Sequence, residues 1–306
     1  ESKQNHYLAA LHWTRNECGV AFLDISTGEF LAAEGSPEWV DKLLKSFNPK
    51  EWVCEKRHES DLITLFGDDT PRSKLDDWVF TEEFAEGKLQ SQFGVSSLKG
   101  FGLDKAPSAK IAAGVILQYL EFTHHTNLAH LQGVKRLKET DGMWLDRFTV
   151  RNLEILHPTH PDGTSLADNI DRTSTPMGAR MLRRWLIMPL TDKTAIEARH
   201  DAVSLLMDHD DLSLNLKGIL SGVGDLERLA SKASSAKINP RELVQLRRGL
   251  QSVIKVADAA AGEEALLPIL ERLSPCDKLL ERLENELEDE APNQVGKGAV
   301  IKPGVD

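Results

Sequence analysis

The chain has 306 residues, 41% of them hydrophobic, which by the usual size of domains is enough for about two packed domains. Its 37 Lys and Arg residues and 48 Asp and Glu residues give a formal net charge of −11. This balance argues against a protein that grips DNA strongly by itself, since neutralised phosphates supply most of the affinity for DNA. The sequence has no apolar run long enough to span a membrane, and residues 1–6 lack the basic and apolar layout of a signal peptide.

The three cysteines indicate a reducing compartment. Cys18, Cys54 and Cys276 are odd in number and far apart, which is atypical of a disulfide framework or a zinc knuckle. We therefore predict free thiols and a cytoplasmic protein. The chain also begins without Met and stops abruptly after Lys302–Asp306, so we expect it to be a piece of a longer protein.

The first third of the chain predicts an α/β domain. Ser36 suits the N-cap and Pro37 the first position of a helix that continues to Phe47. Three strands joined by tight turns, followed by a helical crossover and a fourth strand, predict a mixed sheet with helices packed on it. The predicted strands are Tyr7–Trp13, Gly19–Ile25, Glu29–Gly35 and Glu51–Arg57.

The rest of the chain predicts mostly helices. A long helix is predicted over residues 107–132, and residues 134–156 return to strand and turn. Asn239–Glu242 fits a capping box at a helix start, and Ser274–Asp277 repeats the same device. Four leucines then recur on one helical face and predict a packing stripe: Leu279, Leu280, Leu283 and Leu287.

The most distinctive segment is Thr175–Leu190, in which a turn with Pro176 and Gly178 leads into a basic and apolar helix. This segment and Leu145–Leu156 closely resemble the start of the core domain of the MutS family, the bacterial DNA mismatch-recognition proteins. Further segments resemble the family's connector domain, its core, and the lead-in to its inserted DNA-clamp domain, in the right order: Gly19–Phe30, Gln92–Gly94, Gly100–Asp104, residues 112–131, Arg199–Val203, Gly224–Leu243 and Gly298–Asp306.

The resemblance implies two domains. Residues 1–106 would be the connector domain, a non-catalytic mixed sheet of the ribonuclease H-like kind. Residues 107–132 would be the helix that links it to the core. Residues 133–306 would be the helical core or lever domain, cut before the clamp domain. The expected fold class is therefore α/β followed by mostly α.

The resemblance also implies a function. Proteins of the family recognise mismatched duplex DNA and use ATP, with magnesium, to become a sliding clamp that recruits a MutL-like protein. This chain would supply the connector that docks the MutL-like protein and the core that transmits the nucleotide state, and would be no enzyme itself. The full-length protein would be a homodimer. We expect this chain to be a monomer without a cofactor, because the family's main dimer contacts lie in the ATPase region.

Two motifs that the family's activity needs are not in place. Phe84–Glu86 spells the Phe-x-Glu pattern with which the family inserts a Phe at a mismatch, but it falls inside the connector-like region on a predicted charged helix. Gly296–Gly298 lacks the spacing and the Ser or Thr of a phosphate-binding loop. We therefore expect mismatch reading and ATP hydrolysis to belong to other parts of the parent protein.

Two alternatives stay open at this point. Asp24 and Glu55 on neighbouring parts of a ribonuclease H-like sheet would suit a metal-dependent nuclease with a helical appendage, although a third carboxylate has no clear candidate. The other alternative is a helical adaptor unrelated to DNA repair, which requires the motif order to be coincidence. We predict no metal site at His124, His125 and His130, because their spacing does not place two imidazoles on one helix face.

The residue predictions are structural, with no catalytic, cofactor-binding or metal-binding residue among them. The local basic cluster of Arg180, Arg183, Arg184 and Lys193 is expected to pair with the chain's own acidic residues. The residues predicted to form polar contacts of the core, or to hold its first helix and transmit its movements, are Arg151, Asn152, Glu154, Thr175, Pro176, Gly178, Arg180 and Trp185.

Overall fold

The mixed sheet predicted for the first part of the chain is present in the computed structural model, which describes residues 2–15, 17–125 and 127–305. Its strands are β1 (Leu8–Trp13), β2 (Cys18–Asp24), β3 (Glu29–Gly35), β4 (Glu51–Glu55), β5 (Arg72–Leu75) and β6 (Lys135–Arg136). In the described residues their order is β5-β4-β1-β2-β3-β6. The pairs β1–β2 and β2–β3 are antiparallel, whereas β1–β4, β4–β5 and β3–β6 are parallel.

Two compact units make up the chain. The sheet unit consists of Gln4–Ile170 and Arg183–Pro189, and the helical unit of Glu1–Lys3, Asp171–Leu182 and Leu190–Asp306. Among the described residues, none of the helices combines the length and the apolarity that a membrane span requires.

Helices cover both faces of the sheet. They are α1 (Pro37–Phe47), α2 (Glu59–Phe66), α3 (Glu82–Phe93) and α4 (Pro107–Phe122). Successive strand residues point to opposite faces, so Ala10 and Leu23 pack with α3 and α4, while Leu11 and Phe22 pack with α1 and α2. This alternation places two apolar cores around one sheet.

Helix α4 lies in the first of these cores rather than in solvent. Most of its residues are buried, and at Gly114 an added Cβ would lie only 2.6 Å from the Ala85 Cβ of α3. The helix ends at Phe122, almost three turns before residue 132, because Thr123 Oγ1 donates to the carbonyl of Tyr119 at 3.0 Å and His124 adopts a left-handed φ of 61°. The domain boundaries at 106 and 132 stay predictions.

The remaining helices are α5 (Arg147–Asn152), α6 (Leu166–Ile170), α7 (Pro176–Ile187), α8 (Lys193–Asp208), α9 (Asp210–Ser221), α10 (Leu226–Ser234), α11 (Pro240–Ala259), α12 (Leu267–Leu270) and α13 (Asp277–Glu286). In the helical unit α11 contacts α9, α10 and α13. Its core contains Val244 and Leu250 of α11 with Leu280, Leu283 and Leu287 of the predicted leucine stripe. A mixed sheet followed by a helical region is therefore confirmed.

Two predicted helix starts are confirmed. Ser36 Oγ accepts the Trp39 N–H at 3.3 Å at the start of α1. At α11, Asn239 Oδ1 accepts the Glu242 N–H at 2.9 Å, and the Glu242 carboxylate accepts the Asn239 N–H at 3.0 Å. Both caps satisfy amide groups that a helix leaves without partners in its first turn.

Three local predictions are wrong. Ser274 does not cap a helix: α13 begins later, at Asp277, and Cys276 precedes it with a left-handed φ of 56° and no side-chain cap. Residues 134–156 are not strand and turn alone, since they also contain α5, which Asp146 caps through the Thr149 N–H at 2.9 Å. Leu279 of the leucine stripe is 43% exposed and lies outside the core.

Candidate functional site

The turn at the start of α7 is held by Thr175. Its Oγ1 accepts the Gly178 N–H at 3.0 Å, and its carbonyl accepts the Ala179 N–H at 3.1 Å. Pro176 occupies the first helical position, where no amide hydrogen is needed. A Cβ added at Gly178 would lie 3.1 Å from Thr175 Oγ1, so a side chain there would press on the residue that caps the helix.

Arg180 is the buried charge of this helix. Its guanidinium donates to both carboxylate oxygens of Asp225 at 2.7 Å, to Glu227 at 2.6 Å and to the Ser2 carbonyl at 2.7 Å. Burial by itself would raise the pKa of Asp225, but the hydrogen bonds and the charge of Arg180 outweigh it and hold that pKa below its ordinary value. Asp225 also caps α10, so one ion cluster joins α7 to the start of α10.

The other members of the basic cluster are paired as well. In the sheet unit, Arg184 bonds to Glu29, which also accepts the Tyr7 hydroxyl. Arg183 donates to Asp168 at 2.8 Å. In the helical unit, Lys193 lies 3.5 Å from Glu197, one turn along α8. The prediction that this cluster pairs with the chain's own carboxylates is confirmed. Sequence reasoning did not identify which carboxylates these are.

The residues predicted to make polar contacts around α5 are not buried. Arg151 and Asn152 are exposed, and Glu154 is partly buried with a left-handed φ of 48°. The Glu154 carboxylate accepts the Thr159 N–H at 2.7 Å, and this bond lowers its pKa. Trp185 of α7 is 42% exposed. Glu154 therefore stabilises its own loop, and the interfacial roles of the other three residues stay predictions.

Aromatic side chains form an exposed surface on the sheet unit, which sequence reasoning missed. Trp78 is 52% exposed and Phe122 is 50% exposed. The Trp78 ring meets Phe84 edge-on at 5.1 Å and Phe122 edge-on at 6.5 Å between centroids. We refer to Trp78, Phe84 and Phe122 as the aromatic surface. A contiguous exposed cluster of this kind is typical of a site that a partner covers.

Most of the chain matches models of one protein family. Residues 148–303 match the family model of MutS domain III, and residues 6–132 match that of MutS domain II. The chain belongs to the MutS family. It is 40% identical over 99% of its length to the DNA mismatch repair protein MutS of Flavobacterium psychrophilum and 43% identical over 99% to that of Bacteroides thetaiotaomicron. It spans 35% of the length of each of these relatives.

MutS domains II and III are what the quoted motifs predicted, in the predicted order. The family assignment therefore confirms the resemblance and removes the alternative of an unrelated helical adaptor. In the Phe84–Glu86 segment, Phe84 lies in the aromatic surface on α3, and Glu86 accepts a hydrogen bond from the buried Lys110 at 2.9 Å.

The geometry of the sheet does not support the nuclease alternative. Register pairs Leu8 with Leu23 and Ala10 with Val53, so Asp24 lies opposite residue 7 and Glu55 beside His12. The two carboxylates are thus at opposite ends of β1, about 17 Å apart along the strand. Two-metal sites hold their ions only about 4 Å apart, so these carboxylates cannot share one.

Each of these carboxylates has a structural partner instead. Asp24 accepts hydrogen bonds from the Asn5 side chain at 2.9 Å and from the Ser26 hydroxyl at 2.6 Å, and so holds the β2–β3 turn. Glu55 lies 2.6 Å from Arg57 Nε. Burial raises the pKa of Glu55 despite this cation.

Two of the histidines at and after the end of α4 contact other groups of the chain. His125 Nδ1 lies 3.1 Å from Thr123 Oγ1, whereas His130 Nε2 lies 3.0 Å from the Ile25 carbonyl. Across the part of the chain that the structure describes, no three His, Cys, Asp or Glu side chains are grouped so as to hold a metal ion. His130 thus ties the segment after α4 to the end of β2.

Proposed function

We propose that this chain is the part of a MutS-family DNA mismatch repair protein that docks a MutL-like protein and transmits the nucleotide state of the full-length protein. In this proposal residues 1–106 form the connector domain, a non-catalytic ribonuclease H-like sheet. Residues 107–132 link it to the core of residues 133–306. The family assignment supports a division after residue 132, because the domain II match ends at residue 132 and the domain III match begins at residue 148.

The activity of the full-length protein belongs to the same proposal. Its relatives are named as DNA mismatch repair proteins, which supports mismatched duplex DNA as the substrate. We infer that the full-length protein is a cytoplasmic homodimer that uses ATP and magnesium and recruits a MutL-like protein once ATP has made it a sliding clamp. The catalytic residues for ATP hydrolysis would lie outside this chain.

The aromatic surface is the observation that carries the docking proposal. Trp and other aromatic side chains supply most of the binding free energy at protein interfaces when they are desolvated by a partner. Trp78 and Phe122 expose about half of their side chains, so a partner would gain much apolar burial there.

Charges around the aromatic surface indicate what a partner would present. Asp77, Glu82 and Glu121 are 58%, 53% and 56% exposed at their side chains. Each lies next to an aromatic residue in sequence or within one helical turn of one. Each of the three already forms an ion pair within the chain, with Arg57, Lys110 and Lys88 respectively, so a partner patch with an apolar centre and a polar rim would complement this surface.

The transmission proposal rests on rigid packing in the helical unit. Helix α11 contacts three other helices, and the buried ion cluster of Arg180 joins α7 to α10. Elements that move as rigid bodies need such fixed contacts, because side chains that repack freely would absorb the movement. Arg180 is therefore the residue of the predicted set with the strongest structural support for this role.

The docking proposal is tested by binding this chain to the immobilised N-terminal domain of the MutL protein from the same source. Trp78→Ala and Phe122→Ala should each weaken binding about tenfold or more, as loss of a central aromatic residue does. Phe148→Ala is the matched control, because Phe148 is 73% exposed and lies on α5, which contacts α1 on the opposite face of the sheet from α3 and α4.

Melting temperatures of the three variants show whether any loss of binding comes from unfolding. Equal loss in Phe148→Ala would contradict the assignment of the aromatic surface. If neither this chain nor the full-length protein with ATP bound the MutL domain, the docking function itself would be wrong.

A further inference from the structure

A second surface of the sheet unit is strongly basic, although the chain as a whole is acidic. It is a groove of about 650 Å³ between the turn at Lys99–Phe101 and the edge strand β6. We refer to it as the lysine groove. Its lining residues are Lys99, Gly100, Phe101, Gly102, Asp104, Lys105, Val134, Lys135, Arg136 and Lys138.

Three lysines of the groove are available to a ligand. Lys99, Lys105 and Lys135 are exposed, and none of them forms an ion pair within the described ranges 2–15, 17–125 and 127–305. Other lysines of the sheet unit, by contrast, form ion pairs in which the distance from Nζ to a carboxylate oxygen is mostly below 3.1 Å. One example is Lys88, whose Nζ lies 2.6 Å from Glu121. Asp104 is the carboxylate among the lining residues, so the groove keeps a clear excess of positive charge.

Arg136 is part of the wall rather than a free cation. It donates to the Gly102 carbonyl at 3.1 Å and to Glu34 at 3.3 Å. The Glu34 carboxylate in turn accepts the backbone N–H groups of Ser108 and Ala109 at 3.0 and 3.3 Å, at the start of α4. Arg136 therefore fixes β6 and the glycine turn against the rest of the unit, and the lysines are left to contact a ligand.

The glycine turn gives a ligand close access to the backbone. Gly102 has a left-handed φ of 71°, and an added Cβ at Gly100 would meet no atom within 4 Å. Beneath this turn, the Phe101 ring packs on Phe93 at 4.9 Å between centroids. The floor of the groove therefore includes the packed Phe101 ring, and the backbone at Gly100 is open to a ligand.

We propose that the lysine groove binds the phosphodiester backbone of duplex DNA. Lysines bind as point charges without a fixed geometry, which suits phosphates spaced along a strand. The open floor admits a long ligand rather than enclosing a small one. The choice of DNA as the polyanion rests on the proposed repair function. The groove adds to that function a DNA contact in the sheet unit.

The groove is tested by fluorescence anisotropy of a labelled duplex with this chain over a range of salt concentrations. We expect weak binding at about 50 mM salt, with a slope of log affinity against log salt near −3, as about three phosphate contacts require. The triple variant Lys99→Ala, Lys105→Ala, Lys135→Ala should bind about tenfold more weakly, with a slope close to zero.

A second triple variant controls for net charge. Lys255, Lys278 and Lys297 are exposed residues of the helical unit, and their replacement by Ala changes the net charge equally. This variant should keep wild-type affinity within about twofold. Equal weakening in both variants, or no measurable binding by the wild-type chain, would overturn the proposal.

Poly-glutamate and inorganic phosphate distinguish other sources of negative charge. At equal charge concentration, each should displace DNA less effectively than unlabelled duplex does. Displacement by poly-glutamate at lower concentration than duplex would show a protein-binding groove and would overturn the DNA proposal. Binding of the MutL domain by the first triple variant, measured separately, shows whether the docking function stands regardless of this result.

Discussion

Arg180 and Asp225 form a two-bond ion pair between residues 45 positions apart, with both guanidinium-to-carboxylate distances at 2.7 Å. The Arg180 side chain is only 3% exposed and that of Asp225 15% exposed. A pair that is so poorly hydrated is costly to break, since water does not replace the lost partner of the charge that remains. This cluster is therefore a point at which the stability of the helical unit can be tested directly.

Replacement of Asp225 by Ala should destabilise the helical unit by about 2–4 kcal/mol, because it leaves the Arg180 charge buried with only part of its contacts and also removes the cap of α10. Urea unfolding followed by circular dichroism measures the change. Glu197→Ala is the control, since Glu197 is 58% exposed beside Lys193 and its loss should cost less than about 1 kcal/mol. Similar costs in the two variants would contradict a structural role for the Arg180 cluster.

Two glycines in helices should respond in opposite ways to a side chain. Gly178→Val should lower stability by about 1–2 kcal/mol, because its Cβ would lie 3.1 Å from Thr175 Oγ1 and 3.4 Å from the Thr173 Cβ. Gly218→Ala should raise stability by about 0.5–1 kcal/mol, because no atom lies within 4 Å of its added Cβ and Ala favours a helix. Thermal unfolding of both variants tests this, and an unchanged melting temperature for Gly178→Val would speak against its role in the α7 turn.

His12 should make the sheet unit less stable in mild acid. It is buried beneath the Phe80 ring at 6.3 Å between centroids, and burial, with the charges of His58 and Arg57, lowers its pKa to about 4. Because the pKa of an unfolded histidine is about 6.5, the unfolded chain takes up this proton first. The contribution of neutral His12 to the free energy of unfolding is therefore complete above about pH 6.5 and is lost as the pH falls towards 4.

His12→Gln removes this titration. The loss of unfolding free energy between pH 7 and 4.5 should be smaller by about 2 kcal/mol in this variant than in the wild-type chain. Urea unfolding at several pH values measures it, with His6→Gln as the control because His6 is exposed in the same unit. If the free energy of unfolding depended on pH in the same way in His12→Gln and in the wild-type chain, His12 would not be the group that destabilises the sheet unit in acid.

Prediction from sequence succeeded where neighbouring residues decide the structure. Strand β3 spans the predicted Glu29–Gly35, and β1 and β2 differ from prediction by about one residue at an end. Strand β5 was missed because Arg72–Leu75 is polar and partly exposed, without the apolar pattern of a strand. It forms because the edge of β4 offers it backbone partners, from Trp52–Arg72 to Glu55–Leu75.

The candidate sites show the same difference between features that neighbouring residues predict and features that only the folded chain brings together. The basic and apolar helix of Thr175–Leu190 is visible in sequence, and so is the tendency of Arg180 to pair with a carboxylate. The aromatic surface was not visible, because Trp78, Phe84 and Phe122 are separated by up to 44 positions and no sequence pattern joins them. The lysine groove combines two segments about 30 positions apart in the same way.

The sequence by itself determined the family, the mixed sheet followed by helices, and the caps at Ser36 and Asn239. These depend on side chains within one helical turn or on strand alternation, so the residues that act on each other are close in the chain. Only the tertiary structure decided that Asp24 and Glu55 lie at opposite ends of β1, and that Asp225 and Glu227 are the partners of Arg180. Strand register and helix packing set those distances, and both follow from burial of apolar surface across the whole unit rather than from any local pattern.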